Sequence, residues 1–414
     1  MIIYPGKYTG NILIPSSKSD GQRAILSACL AHGISKIKNI GVSADELSML
    51  DNIRSLGAEV SENEDDFSIK GTTNIPNFLS INVGESGLGA RLISSFLMTQ
   101  KGKFEINGVG TLTARPMTFF KENFEEKIPQ IKDYNGFLPL LIEGPYLGGK
   151  LTVNGAHSSQ YISGLLMALP LVENDSELFV EDLNSKPYVQ MTIDTLSKFG
   201  VEISHDNLRH FKIKGNQKYL PTNYTIESDW SSASYWLVAS ALGKQISVEG
   251  LNSNSLQADR AILKAFEAAN CTVEYREKRM SIRGEERKPF SFDATDCPDL
   301  FPTLAVFAAL TNGVSTIYGL SRLVNKESNR ALTVKTEFEK LGISIYLDEA
   351  IDAMIIEGKD KIHGGRVSSN YDHRIAMSVA ILGLFAENSI QIDYPEAVKK
   401  SYPSFWEDLR KLKA

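Results

Sequence analysis

The chain has 414 residues, 42% hydrophobic and 23% charged, the composition of a folded protein with sizeable cores, and its length suits two or three domains. A net charge of −6 argues against nucleic acid or an anionic membrane as the main partner, and no apolar run approaches the roughly 20 residues of a membrane span. Cys29, Cys271 and Cys297 are odd in number and far apart, without C-x-x-C or histidine pairing, so neither disulfides nor zinc are expected and a reducing cytoplasm fits.

In chain order, the first marked element is Ser16-Ser17-Lys18-Ser19-Asp20-Gly21-Gln22-Arg23, a helix start following a short strand-like run. The dipole and unpaired N–H groups of a helix start favour anions, so Lys18 and Arg23 either reach out to solvent or share a bound phosphate or carboxylate. Beyond it, an apolar-x-Ile-x-Gly pentad recurs as Phe67–Gly71, Leu140–Gly144, Phe211–Gly215, Met280–Gly284 and Met354–Gly358. The interval is about seventy residues each time, the mark of a repeat. Alternation ending in glycine reads as a short strand entering a turn.

Ahead of four pentads a helical pattern stops at Gly57, Gly200, Asn270 or Gly342, residues suited to the left-handed position after a helix. After each pentad comes another strand, then a helix opened by small polar residues: Gly84–Gly87, His157–Gln160, Asp229–Ser232, Asp296–Asp299 and Tyr371–Arg374. Tyr161–Leu171, Tyr235–Leu242, Leu304–Leu310 and Ile375–Phe385 are apolar nearly all round and should be buried helices.

Six such units imply an α/β fold with helices inside and sheets outside, three units to a domain, and six helix starts able to face a shared cleft. The strand near Met1–Gly6 can complete the sixth unit, which makes one domain discontinuous: 1–12 with 229–414, the other being 13–228. The crossings near 11–16 and 227–229 would form a hinge.

Cations at or near the helix starts form the main chemical constellation: Lys18, Arg23, Arg91, Arg115, Lys326, Arg330, Arg374 and Lys400. Arginine forks suit phosphate and carboxylate, and the set suggests a strongly anionic small substrate. Ser158-Ser159-Gln160 serves equally well as a helix cap or as an anion cradle. Asp299 and Glu327 are the candidate acid and base, although a carboxylate among arginines is also a natural counter-ion. His157 reads as structural.

These residues carry a resemblance. Ser17-Lys18-Ser19 with Arg23, Gly84 to Arg91, Arg115-Pro116, Ser158-Ser159-Gln160, Ser185-Lys186-Pro187-Tyr188, Asp229 to Tyr235, Asp299, Lys326-Glu327 with Arg330, Asp372-His373-Arg374 and Lys400 together resemble the EPSP synthase family of enolpyruvyl transferases. The resemblance implies a two-domain inside-out α/β barrel of six βαβαββ repeats. It also implies transfer of the enolpyruvyl group of phosphoenolpyruvate to the 5-hydroxyl of shikimate 3-phosphate, without metal or organic cofactor; a cytoplasmic monomer is expected.

Carried over by position, Lys18, Ser19, Arg23, Ser158, Ser159, Gln160, Ser185, Asp299 and Lys326 would hold shikimate 3-phosphate. Lys18, Gly87, Arg115, Gln160, Arg330, Arg374 and Lys400 would hold phosphoenolpyruvate, and Asp299, Glu327 and Lys18 would manage protons. The chain departs from the family pattern at Glu85, Gln22, Asn329 and Arg322. Two alternatives stand beside this reading. One is a non-catalytic binding homologue. The other is the sister UDP-N-acetylglucosamine enolpyruvyl transferase, whose loop cysteine has no counterpart near Arg115.

Overall fold

The computed structural model describes residues 1–63 and 66–414. They form two compact units, a terminal one of Met1–Pro15 with Ser228–Ala414 and a central one of Ser16–Glu227. The expected boundary at 12/13 moves to 15/16 for a plain reason. Thr9–Leu13 pairs in parallel with Gln245–Glu249, and the Ile14 amide continues that ladder to the Glu249 carbonyl. The other boundary moves by one residue, to 227/228.

The central unit holds three four-stranded sheets and three buried helices, Lys18–Leu30, Gly87–Met98 and Ser159–Ala168. Its sheets share one pairing pattern. Phe78–Asn82 lies parallel to Gly102–Asn107, which runs antiparallel to Phe137–Gly144, which in turn takes Gln130–Tyr134 as a hairpin partner. Gly149–Asn154, Ser176–Glu181, His210–Ile213 and Ile203–Asp206 repeat this order. In the third sheet the parallel partner of Ile34–Lys38 comes from far along the chain, at Asn223–Thr225.

The terminal unit is built likewise around Trp230–Ala241, Phe301–Ala309 and His373–Gly383, in which every residue is buried. Two of its sheets have four strands. The remaining one has three, Gly365–Ser368, Ile390–Asp393 and Ile2–Ile3, so the N-terminal strand completes the last repeat. Among the described residues no sheet closes on itself, so the expected barrel is not a hydrogen-bonded one. A helix that is apolar all round must be covered on every side, and separate sheets do this without closing a ladder.

The helix stops are where the sequence placed them: Gly57, Gly200, Asn270 and Gly342 all have positive φ, between 62° and 104°. The pentad glycines have a different reason for being glycine. None of the five has a positive φ. Each sits instead against carbonyls at the end of the preceding buried helix or just beyond it. A Cβ would lie 2.1 Å from the Ala31 oxygen at Gly71, 2.3 Å from Gln100 O at Gly144, 2.7 Å from Asn174 O at Gly215, 2.4 Å from Ala241 O at Gly284 and 1.8 Å from Thr311 O at Gly358. The repeat therefore conserves space where the strand passes the helix, and the expected turn is not what requires glycine there.

Candidate active site

In the terminal unit, the buried helices starting near Asp229, Asp299 and Asp372 bring their acidic residues together with the Lys326–Arg330 segment. Asp229 and Asp372 cap their helices, accepting from the Ser231 amide at 2.8 Å and the Arg374 amide at 2.9 Å. Arg330, 1% exposed, is the hub. Its Nη1 donates to Asp299 Oδ1 at 2.7 Å, Nη2 to Glu327 Oε2 at 2.5 Å and Nε to Asp372 Oδ2 at 2.8 Å. Arg374 Nη2 donates to the second oxygen of Asp299 at 3.0 Å, and Lys326 Nζ lies 3.5 Å from the first. Lys400 Nζ stands 3.7 Å from Glu327 Oε1.

Burial alone would raise the pKa of Asp299, but Arg374, Lys326 and Arg330 hold it well below the usual carboxylate range. Burial would likewise lower that of Arg330, yet Asp372, Glu327 and Asp299 raise it. The result is a buried network with a fixed, ionised carboxylate at its centre. Asp299 side-chain exposure is 24%, against 9% for Glu327 and 0% for Asp372, so Asp299 is the most accessible of the three.

In the central unit the opening helix start proves more elaborate than a pair of cations near a dipole. Lys18 does not reach freely into solvent; its Nζ pairs with the buried Asp45 at 2.9 Å. Arg23 is 1% exposed and committed to protein acceptors. Its Nε donates to Thr192 Oγ1 at 2.7 Å, Nη1 to the Ser19 carbonyl at 2.6 Å, and Nη2 to Ser163 Oγ and the Tyr188 carbonyl at 3.2 and 3.3 Å. One of its five N–H groups, on Nη1, is left over. Arg23 thus ties the Lys18–Leu30 helix to Ser159–Ala168 and to Lys186–Lys198, and burial pushes its pKa down to about 10. Its neighbour Gln22 accepts from Ser86 Oγ at 2.7 Å, which links the same turn to the cap of Gly87–Met98.

Gly87, Arg91, Arg115 and Gln160 converge. A Cβ on Gly87 would lie 2.7 Å from Arg115 Nη1, 2.8 Å from Arg91 Nη1 and 3.6 Å from Gln160 Oε1. Two arginines that are 6% and 8% exposed therefore rim the space over a helix N-terminus, an arrangement made for an anion. Arg91 is steadied by the Gly87 carbonyl at 2.9 Å and by the Tyr161 ring at 5.3 Å.

Ser158 caps its helix through the Gln160 amide at 3.3 Å, and Ser159 is buried behind it. Ser185 is buried with a left-handed backbone, φ 54°, at the start of Lys186–Lys198. A left-handed non-glycine residue marks a constrained turn.

Among the departures, Glu85 Oε1 accepts the Thr111 amide at 3.1 Å, within the short turn that leads to Arg115. Asn329 caps the helix that Arg330 begins, accepting from Leu332 at 3.3 Å. Arg322 has its pKa lowered by burial against the pull of Asp296 and Asp352.

Sequence reasoning missed Asp45, the partner of Lys18, and Thr192 and Ser163, the partners of Arg23. Their spacings, 27, 169 and 140 residues, carry no local signature. The cysteines are chemically quiet: burial pushes Cys29 up to about 12 and Cys271 up to about 11. Among the described residues no His, Cys, Asp and Glu group could hold a metal ion, and no helix is long and apolar enough to cross a membrane.

Comparison with known proteins gives consistent matches. The sequence model described as EPSP synthase (3-phosphoshikimate 1-carboxyvinyltransferase) matches residues 3–409. The 3-phosphoshikimate 1-carboxyvinyltransferase of Clostridium perfringens is 39% identical over 416 residues, covering 100% of this chain and 98% of that one. The same-named protein of Clostridium kluyveri is 37% identical over 415 residues, covering 99% and 96%. A solved EPSP synthase from Acinetobacter baumannii superposes with a TM-score of 0.79 at 26% identity, covering 100% of this chain and 98% of that one.

Proposed function

The chain belongs to the EPSP synthase (3-phosphoshikimate 1-carboxyvinyltransferase) family, and from that premise we propose that it transfers the enolpyruvyl group of phosphoenolpyruvate to the 5-hydroxyl of shikimate 3-phosphate, releasing phosphate. The observation that carries this reading is Asp299, ionised and ringed by Arg374, Lys326 and Arg330. A doubly anionic pair of substrates needs fixed cations to offset their repulsion, and a hydroxyl nucleophile needs a carboxylate beside it.

In this reading Lys18, Ser19, Arg23, Ser158, Ser159, Gln160, Ser185, Asp299 and Lys326 serve shikimate 3-phosphate. Lys18, Gly87, Arg115, Gln160, Arg330, Arg374 and Lys400 serve phosphoenolpyruvate. The 5-hydroxyl adds to C2 as C3 takes a proton, and phosphate leaves from the resulting tetrahedral centre. Asp299 accepts the hydroxyl proton, while Glu327 and Lys18 manage the proton at C3 and charge on the leaving phosphate.

A carboxyl so far below the usual range is a weak base. Anionic groups that engage Arg374 and Lys326 would weaken the field on Asp299 and raise its basicity at the moment it is needed. Arg23, with one free N–H, contributes mainly by fixing the helix on which Lys18 and Ser19 stand.

The test is phosphate release by the purified protein given both substrates. Release that requires shikimate 3-phosphate, and is lost in Asp299→Asn, is expected. Tight binding of either substrate without release would favour the non-catalytic reading. Release with a UDP-sugar in place of shikimate 3-phosphate would overturn the substrate assignment.

A further inference from the structure

Behind Arg374 lies a carboxyl that the proposed mechanism does not use. Asp259 is 1% exposed, in the short turn Ala258–Ala261 packed on the start of the Trp230–Ala241 helix. Its Oδ2 accepts the Ser231 hydroxyl, while its Oδ1 is buried with no hydrogen-bond partner among the described residues. The segment is docked firmly: Gln257 accepts the Trp230 amide at 3.0 Å and donates to the Ser228 carbonyl at 2.8 Å.

The charged and titratable groups facing Asp259 are Asp229 on the Trp230 helix, Cys297 and Asp299 before the Phe301 helix, and Arg374 on the His373 helix. Arg374 is thus a cation shared among three carboxylates, with Tyr235 beside it. The three are not equally compensated. Asp299 also has Arg330 and Lys326, and Asp229 accepts the Ser231 amide and the Ser232 hydroxyl at 2.8 and 3.2 Å. Asp259 has one hydroxyl and the field of Arg374.

We propose that Asp259 is a positioning residue whose protonation is coupled to anion binding at Arg374: when the carboxylate or phosphate of phosphoenolpyruvate claims Arg374, a solvent proton bonds to the Oδ1 of Asp259. The coupling rests on the assignment of Arg374 to phosphoenolpyruvate made above. An incoming anion competes with Asp259 for one cation, and the buried carboxylate with the fewest other partners is the one that neutralises. Burial first, and then Asp299, already push the Asp259 carboxyl up to about 7, against the pull of Arg374 and Ser231. A small loss of positive field is enough to shift its protonation near neutral pH. Taking the proton at Asp259 leaves Asp299 ionised, as a base must be.

Two measurements test this. Infrared difference spectra of the unliganded protein between pH 6 and 8 should contain a protonated-carboxyl band that disappears in Asp259→Asn. In Ser231→Ala, which removes the hydroxyl donor, the midpoint of that band should move to higher pH. Calorimetry with phosphoenolpyruvate in two buffers of different ionisation enthalpy at pH 7.5 should show uptake of about half to three-quarters of a proton per chain, lost in Asp259→Asn. A band or a proton uptake that survives Asp259→Asn overturns the assignment to Asp259, as does a Ser231→Ala midpoint that stays put. Binding without proton uptake in the unaltered protein overturns the coupling. Absence of phosphoenolpyruvate binding refutes the substrate reading of Arg374 and the coupling together, and the infrared band still reports separately on Asp259.

Discussion

Arg330 and Arg374 sit in the same network but should fail in different ways when removed. Arg330 is enclosed by Asp299, Glu327 and Asp372, so Arg330→Met strands buried negative charge and should cost about 3–5 kcal/mol in a urea-denaturation curve. Among the described residues Arg374 makes one ion pair, to Asp299 at 3.0 Å, and its Nε is buried without a partner. Arg374→Ala should therefore act on the substrate. The phosphoenolpyruvate concentration for half-maximal phosphate release should rise by the equivalent of about 1.5–3 kcal/mol, and an unchanged value would remove Arg374 from the site. The sequence identified both arginines because each lies in a short run with acidic neighbours. It could not identify Asp45 or Asp259, because a single aspartate in a surface-like stretch looks the same whether it ends in water or under a cation. Arg23 shows the converse: the sequence marked it as substrate-facing, and the fold turns most of its guanidinium inward.

Among the elements, the recurrent pentad was the clearest sign of the architecture, and its glycine was the least correctly understood part of it. A one-dimensional pattern reports that a side chain is forbidden, not whether a dihedral or a neighbour forbids it. Here the neighbours are carbonyls at or just past the ends of buried helices, and that gives a direct check. In Gly358→Ala the new methyl would sit 1.8 Å from the Thr311 oxygen, whereas in Gly365→Ala the nearest atom, from Leu341, is at 3.6 Å. The first substitution should lose roughly 2–4 kcal/mol by denaturant midpoint and the second should stay within about 0.5 kcal/mol. The helix stops, by contrast, were fully legible, because Gly57, Gly200, Asn270 and Gly342 all take the left-handed backbone conformation that follows a helix. The completion of the last sheet by the N-terminal strand was foreseeable because the other copies showed what the sixth was missing.

For the whole molecule, two aspartates pull the pH dependence of stability in opposite directions. Asp299 has a depressed pKa, so its contribution is present above the ordinary carboxyl range and is lost as pH falls toward its folded value. Asp259 is raised from 3.8 to about 7, so between those values the folded state holds the extra proton, and its contribution fades as pH climbs. Melting temperatures of Asp259→Asn should accordingly decline less than those of the unaltered protein between pH 4 and 7; parallel curves would show that Asp259 does not titrate there. The central unit, one continuous stretch with a core running from Ala24 to Ile226, should fold cooperatively when Ser16–Glu227 is produced alone. A broad, uncooperative melt would show otherwise.

The strands at Ile2–Ile3 and Thr9–Leu13 find their partners at Ile390–Asp393 and Gln245–Glu249, with the backbone of Lys7 receiving the Ala414 amide. Their sequence therefore leaves the ribosome more than two hundred residues ahead of the ladders it completes. The central unit can be finished while this leading segment is still waiting: a chain interrupted before Gln245 holds both leading strands unmatched, and one interrupted before Ile390 still lacks the partner of Ile2–Ile3. Quality control of the nascent protein thus has one late checkpoint, the return of Ile2–Ile3 to the last sheet. Shortening the chain by its opening fifteen residues should leave the central half protected from hydrogen exchange while the other half loses its protection.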